Sequence, residues 1–263
     1  MSSDGTGSVY DRQARSYASA RPDYPADVFT TIARYANLGV GARVLEIGAG
    51  TGQATTTMVN RGWRIDAVEP GEQLIAQAQR RFVGQPVQFH QGRFEHVWFD
   101  HGAFDVVAAG TSWHWVDPSV SYQRAFELLR PGGTIALFWN AHVPDTHLPQ
   151  WEPIRETYLK VAPDLARLAP LTPDRHDYDP IAELEASGLF DDIKDHRFGF
   201  QINYTCDGFL ALIDTYASHE VLAAPVRERL HEQLRTAIDT QLDGTVTKPY
   251  ETLLVLGTAS TRN

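Results

Sequence analysis

Short β-rich runs alternate with helical segments between residues 44 and 140, which is the pattern of crossover units in a parallel sheet. Apolar positions at helical spacing predict a helix between the second and third runs. Asp117 and Pro118 predict the start of another helix, which the RPGG segment ends. The predicted strands, in chain order, are RVLEI, RIDAV, VQFH, FDVVAA and TIALFW.

The alternation of strands and helices ends after residue 140. The next stretch contains several prolines and the predicted helical segment WEPIRETYLKVAPDLARL. Two strands are predicted farther on, one over FDDIKDHRFGFQINY and a closing one over PYETLLVLGTAS. Between them, two helices are predicted, one capped by Asp207 and one that starts at Pro225. We therefore expect an amino-terminal arm over residues 1–40, a core over 41–140, a lid over 141–190, and strands and helices over 191–263 that complete the same domain.

The first strand run leads into a glycine-rich loop, VLEIGAGTG, with Gly48, Gly50 and Gly52 at alternate positions. Glycine can adopt positive φ and lets the backbone approach a ligand, and the helix that begins near Gln53 directs free N–H groups at the same place. Such a loop can hold a dinucleotide, a nucleoside triphosphate or a nucleoside without phosphate. The Gly-Lys-Ser/Thr ending of a phosphate loop is absent, which disfavours the triphosphate.

Glu69 ends the second predicted strand, about 20 positions after Gly48. A carboxylate at this place can accept hydrogen bonds from both hydroxyls of an adenosine ribose. The spacing therefore favours a ligand that contains adenosine.

The composition limits which partners and which cellular location are expected. The chain has 263 residues, 43% of them hydrophobic, which is enough for a sizeable core. A formal net charge of -10 disfavours nucleic acid and leaves a small molecule as the expected partner. Cys206 is the single cysteine, the histidines show no metal-binding spacing, and no signal peptide or long apolar run occurs. We expect no metal, no membrane association, a cytoplasmic location, and a monomer or homodimer.

Five segments resemble, in order and spacing, class I S-adenosylmethionine-dependent methyltransferases, and more narrowly the small-molecule subgroup that includes trans-aconitate and ubiquinone-pathway methyltransferases. They are VLEIGAGTG, VEP, GRFE, FDVVAAGTSWHWVD and LLRPGGTIALFWN. The resemblance implies a Rossmann-like seven-stranded, mostly parallel sheet of order 3-2-1-4-5-7-6, with the last strand antiparallel and helices on both faces. It also implies S-adenosyl-L-methionine as the cofactor and a small-molecule methyl acceptor.

Carried onto matching positions, the resemblance implies that Glu69 holds the ribose hydroxyls and that Pro70 flanks the adenine. Arg93 stands where many relatives have an aspartate that accepts from the adenine amino group, so the Phe94 backbone or Glu95 must substitute. The complete set of expected cofactor residues is Tyr17, Arg21, Glu46, Gly48, Ala49, Gly50, Gly52, Glu69, Pro70, Arg93, Phe94 and Glu95.

Tyrosines and arginines cluster in the amino-terminal segment YDRQARSYASARPDYP. In the resembling family such an arm folds over the cofactor, and an arginine suits a carboxylate through two parallel hydrogen bonds. Contact of Tyr17 and Arg21 with the cofactor or acceptor and simple packing of the tyrosines on the body are equally good interpretations.

The fourth strand run ends in GTSWHWVD, and ligands of open α/β sheets bind beyond the carboxyl ends of strands. His114 is the candidate catalytic base, and the alternative is a histidine that fixes the loop by hydrogen bonds. Neighbouring side chains share one pocket only if the chain turns there. The expected acceptor-binding residues are Tyr10, Trp113, Trp115, Trp139 and Asn140.

These observations predict direct in-line methyl transfer to a small, aromatic or carboxylate-bearing metabolite. One alternative is a nicotinamide oxidoreductase, which would favour G-x-G-x-x-G over the spacing seen here. The other is a non-methylating enzyme, such as a cyclase, that uses the bound sulfonium electrostatically.

Overall fold

The computed structural model describes residues 21–142, 151–167 and 179–261, so Tyr10 and Tyr17 lie outside the described residues. A 7-stranded sheet has the order β3-β2-β1-β4-β5-β7-β6. Strands β1 to β5 are parallel, and β7 runs antiparallel to both β5 and β6. The predicted fold is therefore confirmed. The strands are β1 (Arg43–Ile47), β2 (Arg64–Glu69), β3 (Val87–Gln91), β4 (Phe104–Gly110), β5 (Leu129–His142), β6 (Phe190–Thr205) and β7 (Thr245–Ala259).

Helices follow most strands, and a 3₁₀ turn covers Trp113–Trp115. The α-helices in the described part of the chain are α1 (Ala26–Tyr35), α2 (Gln53–Asn60), α3 (Glu72–Arg81), α4 (Ser121–Leu128), α5 (Glu152–Val161), α6 (Pro163–Arg167), α7 (Pro180–Ser187), α8 (Cys206–Asp214), α9 (Ala217–Glu220) and α10 (Ala224–Gln241). None of these helices is long and apolar enough to cross a bilayer.

Two predicted helix starts are wrong because a competing polar group forms the local hydrogen bonds. The Asp117 carboxylate accepts from the backbone N–H and the hydroxyl of Ser119, which closes a separate turn, so α4 begins only at Ser121. Thr205, not Asp207, caps α8, since the Thr205 hydroxyl accepts from a backbone N–H in the first turn.

Alternate residues of the central strands pack against helices on opposite faces of the sheet. In β4, Val106 and Ala108 join a cluster with α1 and α2, whereas Val107 and Ala109 join a cluster with α4. All four side chains are buried, which explains why this strand is a continuous apolar run rather than an alternating one.

A third apolar cluster lies beyond the carboxyl end of β5. It combines side chains of α5, α8 and α10 with the extended parts of β6 and β7. Tyr250, a member of this cluster, pairs with His142 at the last position of β5. The cluster therefore caps the edge at which ligands of parallel sheets bind.

Candidate functional site

The three glycines of the loop after β1 are needed for different reasons. All have positive φ, at 68° for Gly48, 57° for Gly50 and 89° for Gly52. A Cβ on Gly48 would lie 2.4 Å from the Cβ of Ser112, and one on Gly52 would lie 2.3 Å from Cε2 of Phe82. On Gly50, the nearest described atom would be the Gln53 Oε1 at 4.0 Å. Packing thus requires Gly48 and Gly52, while Gly50 faces space that the described residues leave open.

The Glu69 carboxylate is fixed at the carboxyl end of β2. Its Oε2 accepts from the Gly50 N–H at 2.9 Å and its Oε1 accepts from the Gly71 N–H at 2.8 Å. The side chain is buried, so these two bonds set its orientation beside the open face of Gly50. Because a carboxylate oxygen accepts more than one hydrogen bond, the group can receive further donors from a ligand.

The amides of Gly48 and Ala49 point back into the sheet. Both N–H groups donate to the Val68 carbonyl, at 2.8 and 3.2 Å, and the Ala49 side chain is buried. These bonds hold the loop close to the end of β2. Any contact that these two residues make with a ligand must therefore use other atoms.

Glu46 is a second buried carboxyl group beneath the loop. Its Oε2 accepts from the Thr55 hydroxyl at 2.6 Å. Burial raises the pKa of Glu46 to about 8, with a further increase from the Glu69 charge and a partial offset from the Thr55 hydrogen bond. At neutral pH the Glu46 carboxyl group is therefore mostly protonated, and the site carries mainly the charge of Glu69.

The segment after β3 contains Arg93, Phe94 and Glu95. The Phe94 side chain is in the core, and its carbonyl accepts from the Arg124 Nε at 2.8 Å. Glu95 accepts from the Asp117 N–H at 2.9 Å and from Arg93 at 3.1 Å. Partial burial raises the pKa of Glu95, but these hydrogen bonds outweigh it and lower the pKa overall. Of the two predicted substitutes for an aspartate, Glu95 thus presents an ionised carboxylate.

The chain turns sharply after β4. Thr111 has a φ of 54°, which is strained for a β-branched residue. Its hydroxyl is 2.8 Å from the Tyr24 hydroxyl, and its N–H donates to the Phe138 carbonyl. Strain at a single residue of this kind is common at functional sites.

This turn distributes the three ring side chains of the 3₁₀ segment to different environments. Trp113 is 2% exposed and packs against Phe94 and Tyr122 in the core. Trp115 is 38% exposed. His114 is half-buried, with its ring 4.7 Å from the Trp115 ring. His114 and Trp115 are thus the accessible members of this group.

The described end of the amino-terminal arm crosses the carboxyl edge of the sheet. Arg21 donates to the Thr215 hydroxyl at 2.9 Å and to the Thr215 carbonyl at 3.1 Å. Asn140 donates to the carbonyls of Pro22 and Asp23, at 3.3 and 3.4 Å, and accepts from Thr252 at 2.6 Å. These contacts hold the arm against β5 and the end of α8.

The remaining predicted residues differ in exposure. Pro70 is exposed at the end of β2, and Trp139 is half-buried against the cluster that contains α4. The residues described here include no group of three or more His, Cys, Asp or Glu side chains placed to hold a metal ion.

Sequence reasoning missed several residues that shape the site. Gly71 donates to Glu69, and its signal was its place between the VEP segment and the start of α3. Tyr24 belongs to the tyrosine cluster of the arm, but its partner Thr111 gave no sign of positive φ, because threonine is disfavoured there. Ser112, whose hydroxyl donates to the Ile47 carbonyl at 2.5 Å, ties the β4 turn to the glycine loop.

The sheet order, the glycine loop and the acidic residue that ends β2 define a class I methyltransferase fold. Residues 45–137 match the family model of a methyltransferase domain. An uncharacterized methyltransferase of Mycobacterium tuberculosis is 36% identical over 124 residues, which are 47% of this chain and 49% of that protein. The chain thus spans about half the length of the first curated relatives that it matches.

Solved structures of low sequence identity share this fold. A protein of Anaeromyxobacter dehalogenans, described as a type II methyltransferase, superposes with a TM-score of 0.61 at 20% identity, covering 91% of this chain and 97% of that one. Phosphoethanolamine N-methyltransferase 2 of Haemonchus contortus, solved with S-adenosyl-L-methionine, has a TM-score of 0.56 at 14% identity and covers 98% of this chain and 58% of that one. The matched segment and the sheet order are thus those of class I S-adenosylmethionine-dependent methyltransferases.

Proposed function

We propose that the protein binds S-adenosyl-L-methionine and transfers its methyl group to a small molecule, an aromatic or carboxylate-bearing metabolite. The observation that carries the cofactor assignment is the Glu69 carboxylate, held by the Gly50 and Gly71 N–H groups beside the open face of Gly50. When bound, this cofactor supplies a methyl group that its sulfonium charge has already activated.

The residues present fit this cofactor. Glu69 is oriented to accept from both ribose hydroxyls, and a side chain on Gly50 would extend into the space that the ligand needs. Pro70 and Glu95 stand at the ends of β2 and of the β3 segment, where the adenine is expected. The Haemonchus enzyme, which binds the same cofactor on this fold, supports the assignment.

The acceptor side is built by the turn after β4 and by the apolar cluster beyond β5. Trp115 offers an exposed indole face, and His114 offers an imidazole that can take the proton that leaves the acceptor. The arm excludes water from the edge because its hydrogen bonds to Asn140 and Thr215 hold it across β5. Holding donor and acceptor in line can contribute roughly 7 to 11 kcal/mol in favourable cases. We propose that α5, which lies within the predicted lid and packs in the cluster beyond β5, helps to cover this pocket.

Two alternatives use the same sheet. A nicotinamide oxidoreductase would bind NAD, and a cyclase would bind the sulfonium cofactor without consuming it. The matched family and the names of its relatives favour methyl transfer over both.

The cofactor assignment is tested by calorimetric titration of the full chain with S-adenosylhomocysteine and, separately, with NAD. We expect binding of the first and none of the second. Glu69→Gln should weaken S-adenosylhomocysteine binding at least about tenfold, since charged hydrogen-bond partners contribute about 1.5 to 3 kcal/mol each.

Glu72→Gln is the matched control for this titration. Glu72 is an exposed carboxylate in the first turn of α3, three positions from Glu69 in the sequence, so its replacement should leave the affinity unchanged. Equal affinity of the wild-type protein and Glu69→Gln, or preferential binding of NAD, would refute the assignment.

A further inference from the structure

Glu46 is a carboxyl group enclosed beneath the glycine loop. It is 3% exposed and lies on β1, two residues before Gly48. Its hydrogen bonds come from Thr55 on α2, from the hydroxyl at 2.6 Å and from the backbone N–H. An enclosed carboxylate is costly unless a cation accompanies it, so a carboxyl group in these surroundings favours the protonated form.

The elements packed around Glu46 bring it no cation in the described part of the chain. On the two neighbouring strands it pairs with Ala67 of β2 and Ala108 of β4. Among the described residues, the charge that acts on Glu46 is that of Glu69, which has the same sign. Helix α1 presents apolar side chains to this face of the sheet, namely Val28, Phe29 and Ile32.

The proposed cofactor would bring positive charge to these two carboxyl groups. S-adenosyl-L-methionine has a sulfonium and an ammonium group against one carboxylate, so it carries a net charge of +1 into the site. An opposite charge close to a poorly solvated carboxyl group favours its ionised form, and water screens this attraction only weakly. Glu46 and Glu69 lie on either side of the loop whose Gly50 faces open space.

We propose that Glu46 gives up its proton when S-adenosyl-L-methionine binds, in response to the cationic groups of that cofactor; this inference rests on the proposed function. The carboxyl O–H bond breaks, the proton passes to the solvent, and the carboxylate keeps its hydrogen bonds from Thr55. In the free protein, burial and then the charge of Glu69 raise the pKa of Glu46 to about 8, against a smaller opposing effect of Thr55, so a proton is present to be released near neutral pH.

A purely structural role for Glu46 predicts a different outcome. If Glu46 only fixes the start of α2 through Thr55, its protonation is the same with and without the cofactor. The number of protons released on binding therefore separates the two interpretations.

The experiment counts these protons by calorimetric titration of the full chain at pH 6.5, in phosphate and in Bis-Tris, which differ in ionisation enthalpy. At this pH the amino group of each ligand is protonated already, so the ligands exchange few protons themselves. We expect S-adenosyl-L-methionine to release roughly 0.5 to 1 proton from the wild-type protein, as for one titrating group, and none from Glu46→Gln. Methylthioadenosine, which lacks both cationic groups, should release none from either protein.

S-adenosylhomocysteine distinguishes the two possible cations, since it has the ammonium group without the sulfonium charge. Release with both ligands assigns the effect to the ammonium group, and release with S-adenosyl-L-methionine alone assigns it to the sulfonium. Glu72→Gln is the matched control, because Glu72 is exposed and its replacement should leave the release unchanged.

A second measurement needs only the wild-type protein and serves if Glu46→Gln does not fold. The affinity for S-adenosyl-L-methionine relative to methylthioadenosine should increase between pH 5.5 and 7, by up to about tenfold per pH unit for one released proton. The proposal is overturned if this ratio is constant, if Glu46→Gln releases as many protons as the wild type, or if methylthioadenosine does so. Binding of S-adenosyl-L-methionine without proton release refutes this inference alone, whereas absence of binding refutes the proposed function as well.

Discussion

Alanine substitutions in the glycine loop should separate the glycine that a ligand needs from the glycines that packing needs. At each of the three positions, left-handed φ costs alanine about 1 to 2 kcal/mol. Part of this cost, about 0.4 to 1 kcal/mol, is offset because alanine restricts the unfolded chain. Conformation alone therefore predicts a loss of roughly 1 kcal/mol for Gly50→Ala, where the nearest described atom is 4.0 Å from the new Cβ.

The other two substitutions add a steric term. The new Cβ of Gly52→Ala lies 2.3 Å from the Phe82 ring, and that of Gly48→Ala lies 2.4 Å from the Ser112 Cβ. Overpacking of this kind typically adds about 1 to 3 kcal/mol. We expect a total destabilisation of about 2 to 4 kcal/mol for each of these two variants.

The assay measures urea denaturation of each variant and its affinity for S-adenosylhomocysteine. Gly50→Ala should keep most of its stability and lose most of its affinity. Gly84→Ala is the control for conformation alone, because Gly84 has a φ of 76° and no described atom within 4 Å of an added Cβ. Wild-type affinity in Gly50→Ala would refute the claim that its backbone faces the ligand. Equal stability of Gly52→Ala and Gly50→Ala would refute the packing argument.

Three further substitutions test other parts of the site. The stability of Glu46→Gln relative to the wild type should increase as pH rises from 4.5 to about 8, because the raised pKa of Glu46 makes the wild-type fold lose stability over that interval. Urea denaturation at pH 5, 6.5 and 8 measures the difference in unfolding free energy between the two proteins. A difference that does not change with pH contradicts the raised pKa. Tyr24→Phe should lower the free energy of unfolding by about 1 kcal/mol, because the hydrogen bond to the strained Thr111 is lost; thermal and urea denaturation should agree, and an unchanged midpoint would count against that role. His114→Gln should reduce the single-turnover methylation rate by about a hundredfold or more for an acceptor that loses a proton on methylation, with unchanged affinity for S-adenosylhomocysteine. An equal loss of rate and of affinity would instead indicate a structural histidine.

The strands were predictable because the sheet is buried on both faces, which makes β4 and β5 apolar runs whatever their detailed packing. The sheet order came from the resemblance of the motifs, since pairing of distant strands leaves no local signal. Helix starts were less predictable because Asp117 and Asp207 satisfy cap preferences equally well in sequence. Only the fold shows that the Asp117 carboxylate closes a separate turn with Ser119 and that the Asp207 carboxylate pairs with Arg235.

Site residues were likewise predictable where the chain itself determines their position, and not where packing between distant segments does. Glu69 could be found from spacing because its place at the end of a strand is a property of the chain. Trp113 and Trp115 are indistinguishable in sequence, and the strained Thr111 turn sends the first into the core and leaves the second exposed.

Transfer of a labelled methyl group tests the central claim most directly. The protein is incubated with methyl-labelled S-adenosylmethionine and a metabolite extract, and label and released S-adenosylhomocysteine are measured together. We expect label in a low-mass product, with one S-adenosylhomocysteine released for each methyl group transferred. Label found only in protein or RNA, or product formed without release of S-adenosylhomocysteine, would contradict methyl transfer to a small molecule.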